Sequence, residues 1–444
     1  MSSQVQNHRR ATRKLGALLL IAGVPFATSC SSGSDPVASR TAPPVVPGAG
    51  TARRLERPVS TDGFKLGDPI DGLTDMELAA FERGLEVFDR RFKPSEGLGP
   101  FYNATSCASC HSTPVSGGSS RLYRNFYIAV WGTLQGQSPI PPFLSPVVPA
   151  YGTGAAHAGA TFSLEGARPQ IPAMFGGVDV TVGQRNAIPL FGTGLFEFVS
   201  NATIFSNADP EDANGDEISG RFNTQGGGLG RLGVKAQANN VEAFTRAPLQ
   251  NQMGITTDPF LGSGGIVSLS AAQATGGVDD PTTDDDGVPD PEMSHDDLGD
   301  LIAFTRFLAP PRKKLFFAAE RRGEALFDSI GCVKCHIPNL PSSRGTVDAY
   351  TDLLLHDMGL MLADGLTFGV PQSSPSSSTG TPREFRTQPL WGVSMHAPYL
   401  HDGRAETLDS AIVQHRGEAN SIRNAYIALT DDEKADMIAF LEAL

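Results

Sequence analysis

The sequence predicts a mainly α-helical protein in which two similar domains are joined by long irregular loops. The first observation is helical periodicity: Thr74 and Glu77 form a capping box, and apolar residues recur at helical spacing from Leu78 to Phe92. The second is that one order of features occurs twice along the chain. The third is composition, since 49 Gly and 33 Pro with only 19% charged residues indicate many irregular connections.

The most specific pattern is C-x-x-C-H, which occurs at residues 107–111 and again at residues 332–336. Two cysteines at this spacing can form thioether bonds to one haem, and the adjoining histidine then becomes the proximal ligand of the iron. A structural thiol pair, a thioredoxin-type motif or half of a zinc site would leave the histidine unexplained twice. The sequence therefore predicts two covalently bound c-type haems. The residues concerned are Cys107, Cys110, His111, Cys332, Cys335 and His336.

Other features repeat around these motifs. Residues 84–88 (GLEVF) precede the first motif as residues 323–327 (GEALF) precede the second. The stretches RNAIPLFG (185–192) and RTQPLWG (386–392) follow, and amphipathic segments at 297–308 and 433–444 end each half. We therefore expect two cytochrome c-like haem domains with long irregular loops. The N-terminal copy, with insertions, would span residues 71–311 and the C-terminal copy residues 312–444, with Pro310 and Pro311 marking the boundary.

The first thirty residues have the features of an export signal. A basic stretch at residues 8–14 precedes a short apolar core at residues 15–25, which is too short to span a bilayer. Residues 1–29 are expected to be a signal peptide that ends in a bacterial lipobox-like sequence, so that Cys30 carries a lipid; cleavage nearby without lipidation is the alternative. Residues 30–70, rich in Pro, Ser, Gly and Ala, would form a flexible tether. The expected location is the periplasm, with a lipid anchor as the only membrane attachment.

The charged residues bear on partners and ions. A formal net charge of −13 argues against nucleic acid as a partner. Asp212, Asn214 and Asp216 space oxygen ligands as calcium loops do, and the acidic stretch at residues 284–290 is a second calcium candidate. Neither stretch supplies the distal bidentate Glu of an EF-hand, so a solvated acidic loop is the alternative for both.

The chain resembles the bacterial di-haem cytochrome c peroxidase superfamily, and most closely its di-haem oxidoreductase branch. The resemblance covers the chain from about Leu73 to the C-terminus. It implies two all-α haem domains that meet at an interface, a periplasmic location and a bridging calcium. In the peroxidases of this superfamily, the C-terminal haem relays electrons and the N-terminal haem meets peroxide. The stretches that carry the resemblance are residues 97–111 (GLGPFYNATSCASCH), 209–216 (DPEDANGD), 218–221 (ISGR), 353–359 (LLLHDMG) and 397–404 (APYLHDGR).

The resemblance also indicates a sixth ligand for the C-terminal iron. The peroxidases place this ligand fourteen residues beyond the histidine of their aromatic-His-(Asp/Ser)-Gly stretch, and fourteen residues beyond His401 stands His415. We expect a His336/His415 haem, whose potential is lower than that of a His/Met haem because imidazole is the harder donor. Met395 is the alternative, at a spacing from His336 close to that of ordinary cytochromes c. The remaining candidates are Met358, Met361, His356, His396 and His401.

For the N-terminal iron, the sequence predicts an open coordination position. No histidine lies between His111 and His157, where the common peroxidases carry a removable distal ligand. A carboxylate beside an open ferric site can shuttle the proton of a bound peroxide. Glu197 is the candidate acid–base, with a capping or surface carboxylate as the alternative. Arg185 and Arg386 are candidates for pairing with haem propionates, and structural ion pairs are the alternative.

These observations predict a periplasmic di-haem oxidoreductase. Electrons from a small redox protein or other donor would enter at the C-terminal haem and reach an open N-terminal haem that reduces peroxide or oxidises a substrate. One alternative is a non-catalytic di-haem electron-transfer lipoprotein with two six-coordinate irons. Another is an oxidase that modifies a protein, as in the branch with an unusual Tyr ligand, but His415 argues against it.

Overall fold

α-Helices lie in both halves of the chain. The computed structural model describes residues 65–133, 137–143, 145–166, 168–224, 228–257, 261–262, 265–266, 284, 286–366 and 381–444. No helix in these ranges is both long and apolar enough to cross a bilayer. The helices are α1 Asp75–Asp89, α2 Gly154–Ala158, α3 Asn201–Asn207, α4 Val241–Met253, α5 His295–Phe307, α6 Ala318–Ser329, α7 Leu408–Gln414, α8 Asn420–Ala428 and α9 Asp431–Ala443.

Two helix pairs show the internal duplication in three dimensions. Helix α1 packs against α5, and α6 packs against α9. Each crossing is built on a glycine: a Cβ atom at Gly84 would lie 2.0 Å from the Asp300 carbonyl oxygen, and one at Gly323 would lie 2.1 Å from that of Asp436. Only a residue without a side chain allows the backbones to approach so closely. The repeated GxxxF stretches therefore mark equivalent helix crossings.

Ion pairs and aromatic contacts repeat at the same positions. Arg83 pairs with Asp300 at 2.7 Å, and Arg322 pairs with Asp436 at 2.6 Å. One helical turn further on, an aromatic side chain from each first helix packs against one from the closing helix and against the histidine of the haem motif. The ring centroids lie 4.8 Å apart for Phe88 and Phe304, 5.3 Å for Phe327 and Phe440, 6.5 Å for Phe88 and His111, and 6.2 Å for Phe327 and His336.

The N-terminal half also contains β-structure, so the prediction of a mainly α-helical fold is confirmed only in part. Strand β2 (Phe126–Trp131) pairs with β8 (Val178–Arg185) over six residues. With β3 (Ser138–Pro139) and β7 (Met174–Phe175) they form an antiparallel sheet of order β3-β2-β8-β7. The remaining strands form two-stranded ribbons. The strands are β1 Phe101–Tyr102, β2 Phe126–Trp131, β3 Ser138–Pro139, β4 Tyr151–Gly152, β5 Leu164–Glu165, β6 Arg168–Pro169, β7 Met174–Phe175, β8 Val178–Arg185, β9 Leu261–Gly262, β10 Gly265–Ile266, β11 Leu340–Ser342, β12 Gly345–Val347, β13 Leu355–Asp357 and β14 Glu384–Arg386.

The described residues belong to one compact unit. Its largest apolar cluster includes Phe88, Phe196 and Trp391, and so contains residues from both halves. The boundary between residues 311 and 312 stays a prediction. Pro69, which the sequence assigned to the tether, pairs with Leu308 at the end of α5. The predicted signal peptide, Cys30 and most of the predicted tether lie outside the described residues.

Candidate haem sites

The two C-x-x-C-H motifs have the same local fold. Each begins with a single 3₁₀ turn, Cys107–Ser109 in the first motif and Cys332–Lys334 in the second. In each, the backbone N–H of the histidine donates to the carbonyl of the first cysteine, at 3.1 Å for His111 and 3.0 Å for His336. This turn places both cysteines and the histidine of one motif close together, as attachment to a single haem requires.

Backbone carbonyls orient the two proximal imidazoles. Nδ1 of His111 lies 3.0 Å from the Gly118 carbonyl oxygen, and Nδ1 of His336 lies 2.9 Å from that of Tyr350. A carbonyl only accepts, so Nδ1 carries the proton and Nε2 carries the lone pair that would bind iron. Burial lowers the pKa of His111, and burial lowers the pKa of His336 to about 4. Both imidazoles are therefore neutral at neutral pH, as metal ligands must be.

The C-terminal motif opens into a largely apolar cavity. Cys332, Cys335, His336 and His415 all line it. Nδ1 of His415 lies 2.8 Å from the Ala411 carbonyl oxygen, which leaves Nε2 as the donor atom, and burial lowers the pKa of this imidazole as well. A cysteine pair and two neutral, backbone-oriented imidazoles that line one apolar cavity would suit a six-coordinate c-type haem.

Three of the other candidate ligands of this iron, Met361, Met395 and His401, are less suitable. Met395 and Met361 do not line the cavity, and their exposed fractions are 36% and 67%. His401 lines the cavity but stacks on Phe385 with 4.1 Å between the ring centroids. His396 and Met358 also line the cavity. The assignment of His415 stays a prediction, which this arrangement supports.

A buried network that the sequence did not predict lies beside Cys335. Both ring nitrogens of His356 are 2.8 Å from a carboxylate oxygen, Nε2 from Asp352 and Nδ1 from Glu418. Burial lowers the pKa of His356, but the Cys335 sulfur and the Asp352 carboxylate outweigh this and raise it well above its usual value. Burial raises the pKa of Glu418, yet the hydrogen bond from His356 brings it to about 2. His356 is therefore a buried cation between two carboxylates and has no nitrogen left for iron.

The two arginines considered for haem propionates differ in their partners. Arg185 forms a short, buried ion pair with Asp364. Arg386 lines the cavity, and no carboxylate among the described residues lies within ion-pair distance of it. Its guanidinium donates instead to the Gly233 carbonyl at 2.8 Å and to Gln388 Oε1 at 2.7 Å. Burial lowers the pKa of Arg386 to about 10, so the side chain is a buried cation suited to a carboxylate from the haem.

Glu197 has the contacts of a capping carboxylate. Its Oε1 accepts from the backbone N–H of Val241, the first residue of α4, at 2.8 Å. Its Oε2 lies 2.7 Å from Nε of Arg306 in α5. Both oxygens are thus engaged by the protein, which favours the capping alternative of the sequence analysis. The catalytic role of Glu197 stays a prediction without support from its contacts.

The first calcium candidate uses its side-chain oxygens within its own loop. Asp212 Oδ1 and Asn214 Oδ1 both accept from the N–H of Asp216 at 2.9 Å. Asp216 Oδ2 lies 3.1 Å from Nζ of Lys334, one of the two residues between the cysteines of the second motif. These contacts describe a hydrogen-bonded acidic loop held against the second haem motif. Calcium at this position stays a prediction.

The second calcium candidate presents carboxylates to one another. Oxygen atoms of Asp284, Asp286 and Glu292 all lie within 4.8 Å of one another. Oδ2 of Asp286 and Oε1 of Glu292 are buried and have no hydrogen-bond partner among the described residues. Burial raises the pKa of Glu292 to about 7. A bound cation would offset the repulsion between these carboxylates. The geometry therefore favours the second stretch over the first as a calcium site.

Comparison with known proteins gives a family and two curated relatives. The model of the family described as "Di-haem oxidoreductase, putative peroxidase" matches residues 170–444. The chain is 31% identical over 134 residues to methylamine utilization protein MauG of Methylorubrum extorquens, which covers 29% of this chain and 35% of that protein. It is 29% identical over 155 residues to MauG of Methylophilus methylotrophus, with 33% and 42% covered. The matched part is thus less than half the length of these relatives.

Among solved structures, the chain is similar to a variant of the diheme peroxidase BthA from Burkholderia thailandensis. The sequence identity is 17%, the match covers 82% of this chain and 85% of that chain, and the TM-score is 0.39.

Proposed function

Because the chain belongs to the di-haem oxidoreductase family, we propose that it is a redox enzyme with one covalently bound c-type haem at each C-x-x-C-H motif. The haems would supply one-electron chemistry, with electrons entering at the C-terminal haem and peroxide reduced or a substrate oxidised at the N-terminal haem. The observation that carries this proposal is the difference between two otherwise similar sites. His336 and His415 line one cavity beside the second motif, whereas the sequence offers no histidine between His111 and His157.

The chain's own residues have distinct roles in this proposal. Cys107, Cys110, Cys332 and Cys335 provide the thioether attachments, and the haems supply one-electron chemistry. His336 and His415 would together hold the C-terminal iron, which would suit a relay because no position would be left for substrate. His111 alone would hold the N-terminal iron. Reduction of one hydrogen peroxide to two waters there consumes two electrons from the donor and two protons from solvent.

We propose that the donor is a small redox protein or another periplasmic reductant, since the chain carries a formal net charge of −13 and an export-like first segment. Lipidation of Cys30 would hold the enzyme at the membrane. Calcium is proposed at the second acidic stretch, where Asp286 and Glu292 converge.

Low-temperature electron paramagnetic resonance of the oxidised, fully loaded protein tests the proposal. We expect one high-spin ferric signal from the N-terminal iron and one low-spin signal from the C-terminal iron, with loss of the high-spin signal on addition of cyanide. Two low-spin signals that persist on partial reduction would instead establish the electron carrier without chemistry of its own.

A further inference from the structure

Glu418 and His356 line the same cavity as the two histidines assigned to the C-terminal haem. We propose that Glu418 is a positioning residue, which ties the turn after His415 to the segment that orients His336 and so keeps His415 within reach of the C-terminal iron. The inference rests on the proposed function, because it concerns the haem that relays electrons there. It goes beyond that function by naming a residue that sets the coordination of this iron without touching it.

The turn after His415 lies directly against strand β13. Helix α7 ends just before His415, and the 3₁₀ turn Gly417–Ala419 follows. A Cβ atom at Gly417 would lie 2.0 Å from the Asp357 carbonyl oxygen, and the φ of this residue is +59°. Only glycine allows both the close approach and this conformation. The turn that carries Glu418 is therefore held at β13, three residues beyond His415.

Four donors converge on the carboxylate of Glu418. Its Oε1 accepts from the N–H of Asp357 at 3.1 Å and from the Ser219 hydroxyl. Its Oε2 accepts from the N–H of Ser219 at 3.0 Å and from Nδ1 of His356 at 2.8 Å. A carboxylate can accept from four donors, whereas a glutamine side chain of the same size accepts at one atom and donates at the other. This set of partners therefore fits a carboxylate and not its neutral isostere.

The same network reaches the second haem motif. Nε2 of His356 lies 2.8 Å from Asp352 Oδ2, and its Nδ1 lies 3.7 Å from the Cys335 sulfur. Asp352 stands two residues beyond the carbonyl that orients His336. Asp352 and His356 are 1% and 3% exposed, so solvent does not compete for these hydrogen bonds. Two buried side chains thus link Glu418 to the residues that would hold the haem.

The charges in this network make it sensitive to the loss of one partner. His356 is a buried cation, and a buried charge that loses a partner is left without compensation. The His415 imidazole is oriented from its own helix, by the Ala411 carbonyl at 2.8 Å. Glu418 adds a charged link from the end of that helix to the second motif. Without this link, the turn can move away from β13 and take His415 with it.

The test measures carbon monoxide binding to each iron of the reduced, haem-loaded protein. The wild-type protein should bind one molecule per chain readily, at the N-terminal iron. Glu418→Gln should raise the carbon monoxide affinity of the C-terminal iron by about tenfold or more, the factor that follows from losing one hydrogen bond to a charged group. The low-spin ferric signal of this iron should also lose intensity in the oxidised protein.

Two further variants calibrate the result. Glu406→Gln, the same change at an exposed residue just before α7, is the matched control and should alter neither property. His415→Ala should give the fully open C-terminal iron. If His415→Ala leaves the carbon monoxide affinity of this iron unchanged, the iron has another ligand and the role assigned to Glu418 is wrong.

Haem content and far-ultraviolet circular dichroism are measured for every variant, because a purely structural role would lower stability without changing the coordination of folded protein. If folded Glu418→Gln with two haems binds carbon monoxide as the wild-type protein does, the proposal is overturned. If this variant does not fold, Ser219→Ala decides, since it removes one of the four hydrogen bonds. A raised affinity in Ser219→Ala supports the proposal, and an unchanged affinity overturns it.

The outcomes also separate this inference from the proposed function. A wild-type protein in which neither iron binds carbon monoxide would contradict the open N-terminal site, but a first site that appears in Glu418→Gln would still support the role of Glu418. A wild-type protein that reduces peroxide, together with unchanged coordination in Glu418→Gln, would overturn only the role of Glu418.

Discussion

Replacing Gly323 by Ala should push α6 away from α9 and destabilise the C-terminal half. The added Cβ would lie 2.1 Å from the Asp436 carbonyl oxygen and 2.7 Å from Phe440 Cβ. Real Cβ contacts are rarely shorter than 3.0 Å, so one helix must move by nearly an ångström, and the obstructing oxygen is backbone that cannot rotate away. Phe327 shares this helix and packs against His336, so the change also reaches the haem motif.

The magnitude follows from two opposing effects. Alanine is the better helix former and alone would contribute about 0.5–1 kcal/mol. Overpacking costs about 1–3 kcal/mol, and a gap of about 0.5–1 Å along the interface forfeits about a quarter to a half of each dispersion contact there. Both costs apply along the whole helix crossing and exceed the gain in helix propensity. We therefore expect Gly323→Ala to lower the free energy of unfolding by about 2 kcal/mol.

The assay is urea unfolding of the haem-loaded protein, followed by far-ultraviolet circular dichroism and by Soret absorbance. Gly299→Ala is the matched control, because it lies in α5 and its Cβ would meet nothing within 4 Å. It should stabilise the protein by about 0.5–1 kcal/mol. Gly84→Ala should behave like Gly323→Ala, because the two crossings are equivalent. If Gly323→Ala proved as stable as Gly299→Ala, the close crossing described above would be wrong.

Three further predictions concern single side chains. Glu197→Gln should lower the free energy of unfolding by about 1.5–3 kcal/mol, because the charged pair with Arg306 is lost. Peroxide turnover per folded molecule should not change. Slower turnover in a variant of unchanged stability would instead support a catalytic role for Glu197. Arg386→Gln should lower the C-terminal haem potential in redox titration by about 60 mV, a tenfold change for one electron, and an unchanged potential would remove the propionate pairing. Burial raises the pKa of Glu292 from 4.5 to about 7. Between these two pH values the carboxyl is protonated in the folded protein and ionised in the unfolded chain. The free energy of unfolding should therefore fall as the pH rises through this interval. At pH 8, added calcium should raise the thermal unfolding temperature of the wild-type protein, and Asp286→Asn should abolish this rise. An equal rise in the wild-type protein and the variant would exclude calcium binding at this site.

The sequence predicted the features that depend on nearby residues. The capping box at Thr74 begins α1 as expected, and α1 ends at Asp89. A second capping box, at Thr430, begins α9. Phe92, which continued the helical spacing, lies beyond the helix end and is buried in the following loop. The haem motifs and the repeated stretches around them could likewise be recognised from spacing alone, because each depends on a few adjacent residues.

Features that join distant parts of the chain could not be predicted in this way. Strands β2 and β8 pair although about fifty residues separate them, and no short pattern signals such a partner. Glu197 caps a helix that begins 44 residues later. His356 stood in a stretch that the resemblance singled out, but its partner Glu418 lies 62 residues further along. A long-range contact depends on how the intervening chain folds, which local spacing does not record.

The most direct test of the account is the number of covalently attached haems per chain. The protein is produced in a host that exports it and attaches c-type haem. Pyridine hemochrome analysis before and after acid–acetone extraction then measures the number of haems. We expect two haems per chain, both resistant to extraction, and one haem after Cys332 and Cys335 are replaced by alanine. Fewer than two in the wild-type protein, or haem that extraction removes, would contradict it.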